Sequence, residues 1–134
     1  MDRVALVRSK FDRAKQHLRD LDAAVRAFLD AKPYVVSARR DPSTRGPTYF
    51  LASVADPPIQ LSSIAGDVLH NLRSALDHLA YQLVMVAGHD PPSDHVYFPI
   101  SGSAKQYRND SRGKVKGMRD TAINAIDALT PYKG

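Results

Sequence analysis

From Val4 onward, apolar residues recur at Val7, Phe11, Ala14, Leu18, Leu21, Val25 and Phe28, in steps that alternate between three and four. That spacing keeps one stripe on one side of a helix, so residues 2–31 are expected to form a single long helix. The other side offers i,i+4 charge pairs: Arg8 with Asp12, Asp22 with Arg26, and Arg26 with Asp30. A stripe of this length calls for another helix to cover it. Pro33 ends the segment.

The period then changes. Residues 34–38 (YVVSA) and 48–54 (TYFLASV) are rich in β-branched and aromatic residues, and between them lies RRDPSTRGP, full of turn formers. Residues 34–56 therefore read as a β-hairpin with a longish loop, closed by Pro57 and Pro58. A second long helix is expected over 62–87, with Ser62 or Ser63 as its cap and Gly88 through Pro92 as its stop. Residues 88–104 read as a loop holding a short extended piece, Val96 to Ile100. A short helix over 104–109 is followed by a flexible-looking stretch, 110–117, and a last helix over 118–129 that stops at Pro131. The expected fold class is mainly α: an antiparallel helical bundle with a β-hairpin inserted between the first two long helices, forming one domain over residues 1–134.

Composition adds bounds. A chain of 134 residues, 43% hydrophobic and 25% charged, can bury a core without staples. It has no Cys, which excludes a disulfide framework, a thiolate metal site and a Cys nucleophile. The charged start MDRVALVRSKF has no apolar h-region, and the longest uncharged apolar run, Leu79 to Ala87, is far too short to span a bilayer. A soluble, cytoplasmic protein with no membrane partner is expected. The net charge of +5 is uneven. Lys105, Arg108, Arg112, Lys114, Lys116 and Arg119 stand against Asp110 alone, a basic segment that suits a polyanion and makes these six the candidate RNA-binding residues.

The second long helix has an unusual open face. Between Gly66 and Leu83 there is no Lys and no Glu. At about 100° per residue, Val68, Leu69, Leu72, Ala75, Leu76, Leu79, Ala80 and Leu83 cover one side. Asp67, His70, Asn71, Ser74, Asp77, His78, Tyr81 and Gln82 cover the other, with Arg73 at the boundary. Donors, acceptors and two imidazoles suit a face packed on a ligand or a partner better than one facing bulk water. A buried polar seam inside the bundle would have the same composition.

Within that face, Arg73-Ser74-Ala75-Leu76-Asp77-His78 resembles the R-x4-6-H signature of HEPN domains, small helical bundles of toxin–antitoxin pairs, phage defence and RNA-targeting nucleases. The wider string GD-x-x-HNLRSALDHL, after a heptad helix and a hairpin, also resembles uncharacterised actinobacterial and phage proteins that continue past residue 134. The HEPN likeness covers the central helix alone. It implies a homodimeric, metal-independent endoribonuclease without a cofactor, in which Arg73 and His78 are catalytic at a cleft between paired copies. His70, Asn71, Ser74, Asp77 and Tyr81 would be supporting residues, and an antitoxin or other protein the regulatory partner. Ser74 departs from the Asn, Asp or His that often follows the HEPN arginine. On a straight helix Arg73 and His78 point about 140° apart. They meet through a wrapped Arg side chain, a bend, or a dimer.

Two other readings stand beside this one. A metal could draw on His70 and His78, or on the loop group His89, Asp90, Asp94 and His95, although His70 and His78 are two turns apart. Alternatively the chain is a non-catalytic helical interaction module binding a protein partner or nucleic acid, with Arg73 and His78 hydrogen-bonding across the interface. No G-x-S-x-G and no Gly-rich phosphate loop occurs.

Overall fold

The computed structural model describes residues 2–89 and 95–134. It is mainly α-helical, a helical bundle with a two-stranded antiparallel hairpin inserted between its first two helices. The order is α1 (Ala5–Asp30), β1 (Tyr34–Arg40), β2 (Pro47–Val54), α2 (Ile59–Val86), α3 (Ala104–Lys114) and α4 (Asp120–Ala128). Two compact units can be distinguished. One holds the chain up to Ala14 together with Leu69–Gly134; the other is Lys15–Val68.

Asp2 starts α1: its Oδ1 accepts from the Val4 amide at 3.0 Å, and its Oδ2 pairs with Arg8 at 2.9 Å. Arg8 therefore serves the helix start rather than the expected Asp12. The Asp22–Arg26 pair forms as expected at 2.9 Å, and both pairs are exposed, so each is worth little. The heptad stripe is not covered as expected. Ala14 is buried, Val4, Val7, Leu21 and Phe28 are half-buried, and Phe11, Leu18 and Val25 are exposed.

In the Lys15–Val68 unit, the hairpin pairs Tyr34 with Val54 and Arg40 with Pro47, with a bulge at Val35/Val36. Pairing runs out to Arg40 and Pro47, so the connection is only residues 41–46, tighter than the pattern of turn formers suggests. Asp41 organises it. Its carbonyl accepts from the Arg45 amide at 2.9 Å, and its own amide donates to the Gly46 carbonyl at 2.9 Å. Only Pro33 and Val68 are buried within this unit.

The core lies in the other unit. Ala80 and Val84 of α2 pack with Val96, Phe98, Val115, Met118 and Ile126. In the extended piece 96–100, Val96 and Phe98 point in and Tyr97 points out, but the alternation stops there, since Pro99 is buried and Ile100 is exposed. α2 begins at Ile59, directly after Pro58, so Ser62 and Ser63 lie inside the helix and do not cap it. Proline is well suited to a helix entry because its fixed φ is already helical. Leu69 is 68% exposed, against the expectation for that side of α2, whereas Val84 is almost fully buried. At the far end Gly88 takes φ +97, which suits glycine at the residue that leaves a helix.

α3 is longer than expected, running to Lys114 through residues that look flexible in sequence. Two contacts hold its ends. Ser103 caps it, with Oγ accepting from the Gln106 amide at 3.2 Å, while Gln106 Oε1 accepts from the Gly102 amide at 3.1 Å. This is close to a capping box. At the other end Val115 is buried in the core. Replacing Ser103 by alanine is expected to cost about 1 kcal/mol, seen in chemical denaturation and as faster hydrogen exchange at the first amides of α3. Unchanged exchange there would show that the cap contributes nothing. α4 starts at Asp120, slightly inside the expected 118–129.

Candidate functional site

The polar face of α2 opens into a cleft of about 500 Å³ lined by His70, Arg73, Ser74, Asp77, His78, Tyr81, Gln82 and Val96. Both residues of the R-x4-H arrangement line it, with four of the five expected supporting residues. The exception is Asn71, which is 7% exposed and does not line the cleft. The helix supplies all the polar groups, and the buried Val96 closes the far wall. No polar surface alone would give such a cavity: it exists because the 96–98 segment is pinned beside α2 by its own apolar residues.

Arg73 is not an open fork. Its Nε lies 2.9 Å from Asp77 Oδ2 and its Nη2 lies 2.9 Å from Asp77 Oδ1, a bidentate pair one helical turn long. The same Asp77 Oδ1 accepts the Phe98 amide at 3.0 Å. Asp77 thus ties the guanidinium to α2 and α2 to the extended segment. What remains for a ligand is the outer edge of Arg73: both N–H groups of Nη1 and the second on Nη2. The pair gives Asp77 a defined task, since it fixes the plane of the guanidinium. The Arg73 side chain is 41% exposed, so the outer edge can be reached from solvent.

Among the described side chains, none of the basic residues of the 105–119 segment lines this cleft. Lys105 and Arg108 are exposed on α3, Lys116 is exposed beyond it, and Lys114 is half-buried. Arg112 lies in α3, with its side chain outside the described residues. Arg119 is engaged already: its Nη2 donates to the Val86 carbonyl at 2.8 Å, satisfying the end of α2. Arg108 and Lys116 instead line a second cavity of about 510 Å³ with Tyr107, Ser111, Asp127 and Tyr132. There the Tyr107 hydroxyl donates to Asp127 Oδ1 at 2.6 Å, and the Tyr107 and Tyr132 rings are 5.3 Å apart.

Burial, then the bond to Asp127 and its negative charge, push the Tyr107 hydroxyl well above the ordinary tyrosine range. Because the folded state holds this proton more tightly than the unfolded state, stability is full below the ordinary tyrosine value. It falls as pH rises from there towards the folded value. Tyr107→Phe is expected to remove that alkaline fall. Denaturation curves at a series of alkaline pH values check it, and an identical slope in both proteins would contradict it.

Of the metal alternatives, Asp90 and Asp94 lie outside the described residues. Among the described residues no group of three or more His, Asp or Glu is placed to hold a metal ion. Also among the described residues, no helix is long and apolar enough to cross a membrane. Sequence reasoning named Asp77 but missed its link to the Phe98 amide, because nothing local in the chain marks a contact across 21 positions. No family model, curated protein or solved structure matches the chain.

Proposed function

We propose that the chain is a HEPN-like, metal-independent endoribonuclease of the toxin or defence kind, acting on RNA through Arg73 and His78 at a cleft completed by a second copy. The observation that carries this reading is that both residues line one cleft with His70, Ser74, Asp77 and Tyr81. The chemistry follows from the groups. A neutral His78 imidazole takes the proton from a ribose 2′-hydroxyl as the general base. The 2′-oxygen attacks the adjacent phosphorus, the bond from phosphorus to the 5′-oxygen breaks, and a 2′,3′-cyclic phosphate forms. The leaving 5′-oxygen takes its proton from the imidazolium of the second copy. The outer edge of Arg73 holds the non-bridging oxygens and stabilises the charge that builds on them. Asp77 keeps that edge in place.

The clasp of Arg73 by Asp77 also favours a second reading, in which the pair is structural and the cleft is the docking face of a helical interaction module. Incubating labelled single-stranded RNA with the protein, with and without chelator, separates the two. Chelator-resistant cutting that is lost in Arg73→Ala and in His78→Ala supports the nuclease. Absence of cutting by a folded, dimeric protein supports the module. Chelator-sensitive cutting would move the chemistry to a metal.

A further inference from the structure

The hairpin presents a second kind of surface. Every residue of β2 is exposed, and in β1 only Ser37 is half-buried. Bare two-stranded ribbons are marginal in water, so the residues that they display need a reason. The register pairs Ser37 with Phe50 and Ala38 with Tyr49. Phe50 and Tyr49 are neighbours on one strand and so face opposite sides of the ribbon. They are 44% and 70% exposed.

At the turn end stand Arg39, Arg40 and Arg45. The one carboxylate there, on Asp41, is engaged within the turn. Its Oδ1 accepts from the Ser43 amide at 2.8 Å, the Ser43 hydroxyl at 2.6 Å and the Thr44 amide at 3.4 Å. The Ser43 hydroxyl first, then these amides, hold the Asp41 carboxyl below its usual range. Among the described residues none of the three arginines forms an ion pair. Arg40 Nε donates to the Arg45 carbonyl at 3.3 Å, and the Arg39 guanidinium lies 5.8 Å from the centre of the Phe50 ring. Both contacts steady the side chains without neutralising them. The result is three guanidiniums against one carboxylate, beside two exposed aromatic rings on opposite faces.

Guanidinium is planar, permanently charged and weakly hydrated, and its rigid fork of donors matches the oxygens of a phosphate. Aromatic faces interleaved with cations are the elements that hold unpaired nucleotides. An apolar protein partner would be served by the rings and by Val36 or Leu51, but it would leave the arginines without a counter-charge. We propose that the hairpin is an RNA-binding arm, in which Arg39, Arg40 and Arg45 contact phosphates and Tyr49 and Phe50 stack on unpaired bases. The choice of RNA over other polyanions rests on the nuclease reading of the cleft. The arm contributes binding and no step of the cleavage.

Fluorescence anisotropy of a labelled single-stranded RNA, 2′-O-methylated throughout so that it cannot be cut, tests this across a series of KCl concentrations. Removing three phosphate contacts in Arg39→Ala/Arg40→Ala/Arg45→Ala is expected to flatten the slope of log K against log salt by about 2. Tyr49→Ala is expected to weaken binding about tenfold with the slope unchanged. The matching triple Lys variant, which keeps the charge, should recover most of the slope, and that guards against a turn that has simply misfolded. Wild-type affinity and slope in the triple Ala variant would overturn the proposal. So would wild-type protein that does not bind, or a triple variant that loses self-association or a protein partner while still binding RNA. Failure of the cleft looks different: the wild type binds the methylated RNA through its arm yet cuts no unmodified RNA. If cutting persists while the triple Ala variant binds normally, the arm fails and the cleft stands.

Discussion

Replacing His78 by alanine is expected to lower the rate of RNA cleavage by about 10²- to 10⁴-fold, the usual contribution of a positioned general base. The imidazole lines the cleft beside Arg73, and among the described lining residues the one other imidazole is His70. His70 lies two turns back along α2, so it does not replace His78. The fold should survive, because His78 is only half-buried and does not belong to the core cluster. Circular dichroism and the denaturation midpoint should therefore match the wild type while the single-turnover rate collapses. Cleavage at the wild-type rate by the variant would remove His78 from the mechanism. Arg73→Lys should also lose much of the rate, since an ammonium cannot both keep the two-point contact with Asp77 and present an outer edge.

Phe98→Ala is expected to have the largest effect on stability, about 3–5 kcal/mol. Phe98 is 5% exposed in the core cluster, and truncating a buried aromatic leaves a cavity as well as lost apolar contact. Domains are stable by only about 5–15 kcal/mol, so the loss would take a large share of the margin. Urea denaturation followed by far-ultraviolet circular dichroism measures it, and a shift of the midpoint too small for about 1 kcal/mol would contradict the packing described. The variant also links fold to site. Without the Phe98 ring, the 96–98 segment has less to hold it, and the amide that binds Asp77 Oδ1 drifts. The cleft wall at Val96 and the plane of the Arg73 guanidinium depend on the same segment, so activity should fall in the fraction that remains folded.

The elements that local pattern could reveal were legible in the chain. The three-four spacing from Val4 to Phe28 marked α1 to within a few residues, and the β-branched runs around RRDPSTRGP marked the hairpin. The Lys-free face from Gly66 to Leu83, with its two imidazoles, coincides with the cleft. What escaped depends on tertiary contact. Residues 110–114 carry Asp, Ser and Gly and look flexible, yet α3 runs through them because Val115 is anchored in the core and Ser103 with Gln106 fixes the other end. The cap itself, Ser103-x-x-Gln106, is a local pattern. The stripe on α1 promised a covered face, but Phe11, Leu18 and Val25 remain exposed. Periodicity says which residues share a side and nothing about what meets them. The Asp77–Phe98 link could not be read locally, and it is what decides which edge of Arg73 is free. The basic segment was expected to bind RNA; of its side chains that are described none lines the cleft, Arg119 closing the end of α2 and Arg108 and Lys116 facing a different cavity.

The most direct measurement is the chemical nature of the RNA ends, determined by mass spectrometry after digestion in the presence of chelator. The account predicts a 2′,3′-cyclic phosphate on one fragment and a 5′-hydroxyl on the other, with both species missing for Arg73→Ala and His78→Ala. Fragments that end in a 5′-phosphate, or that persist in either variant, would contradict it.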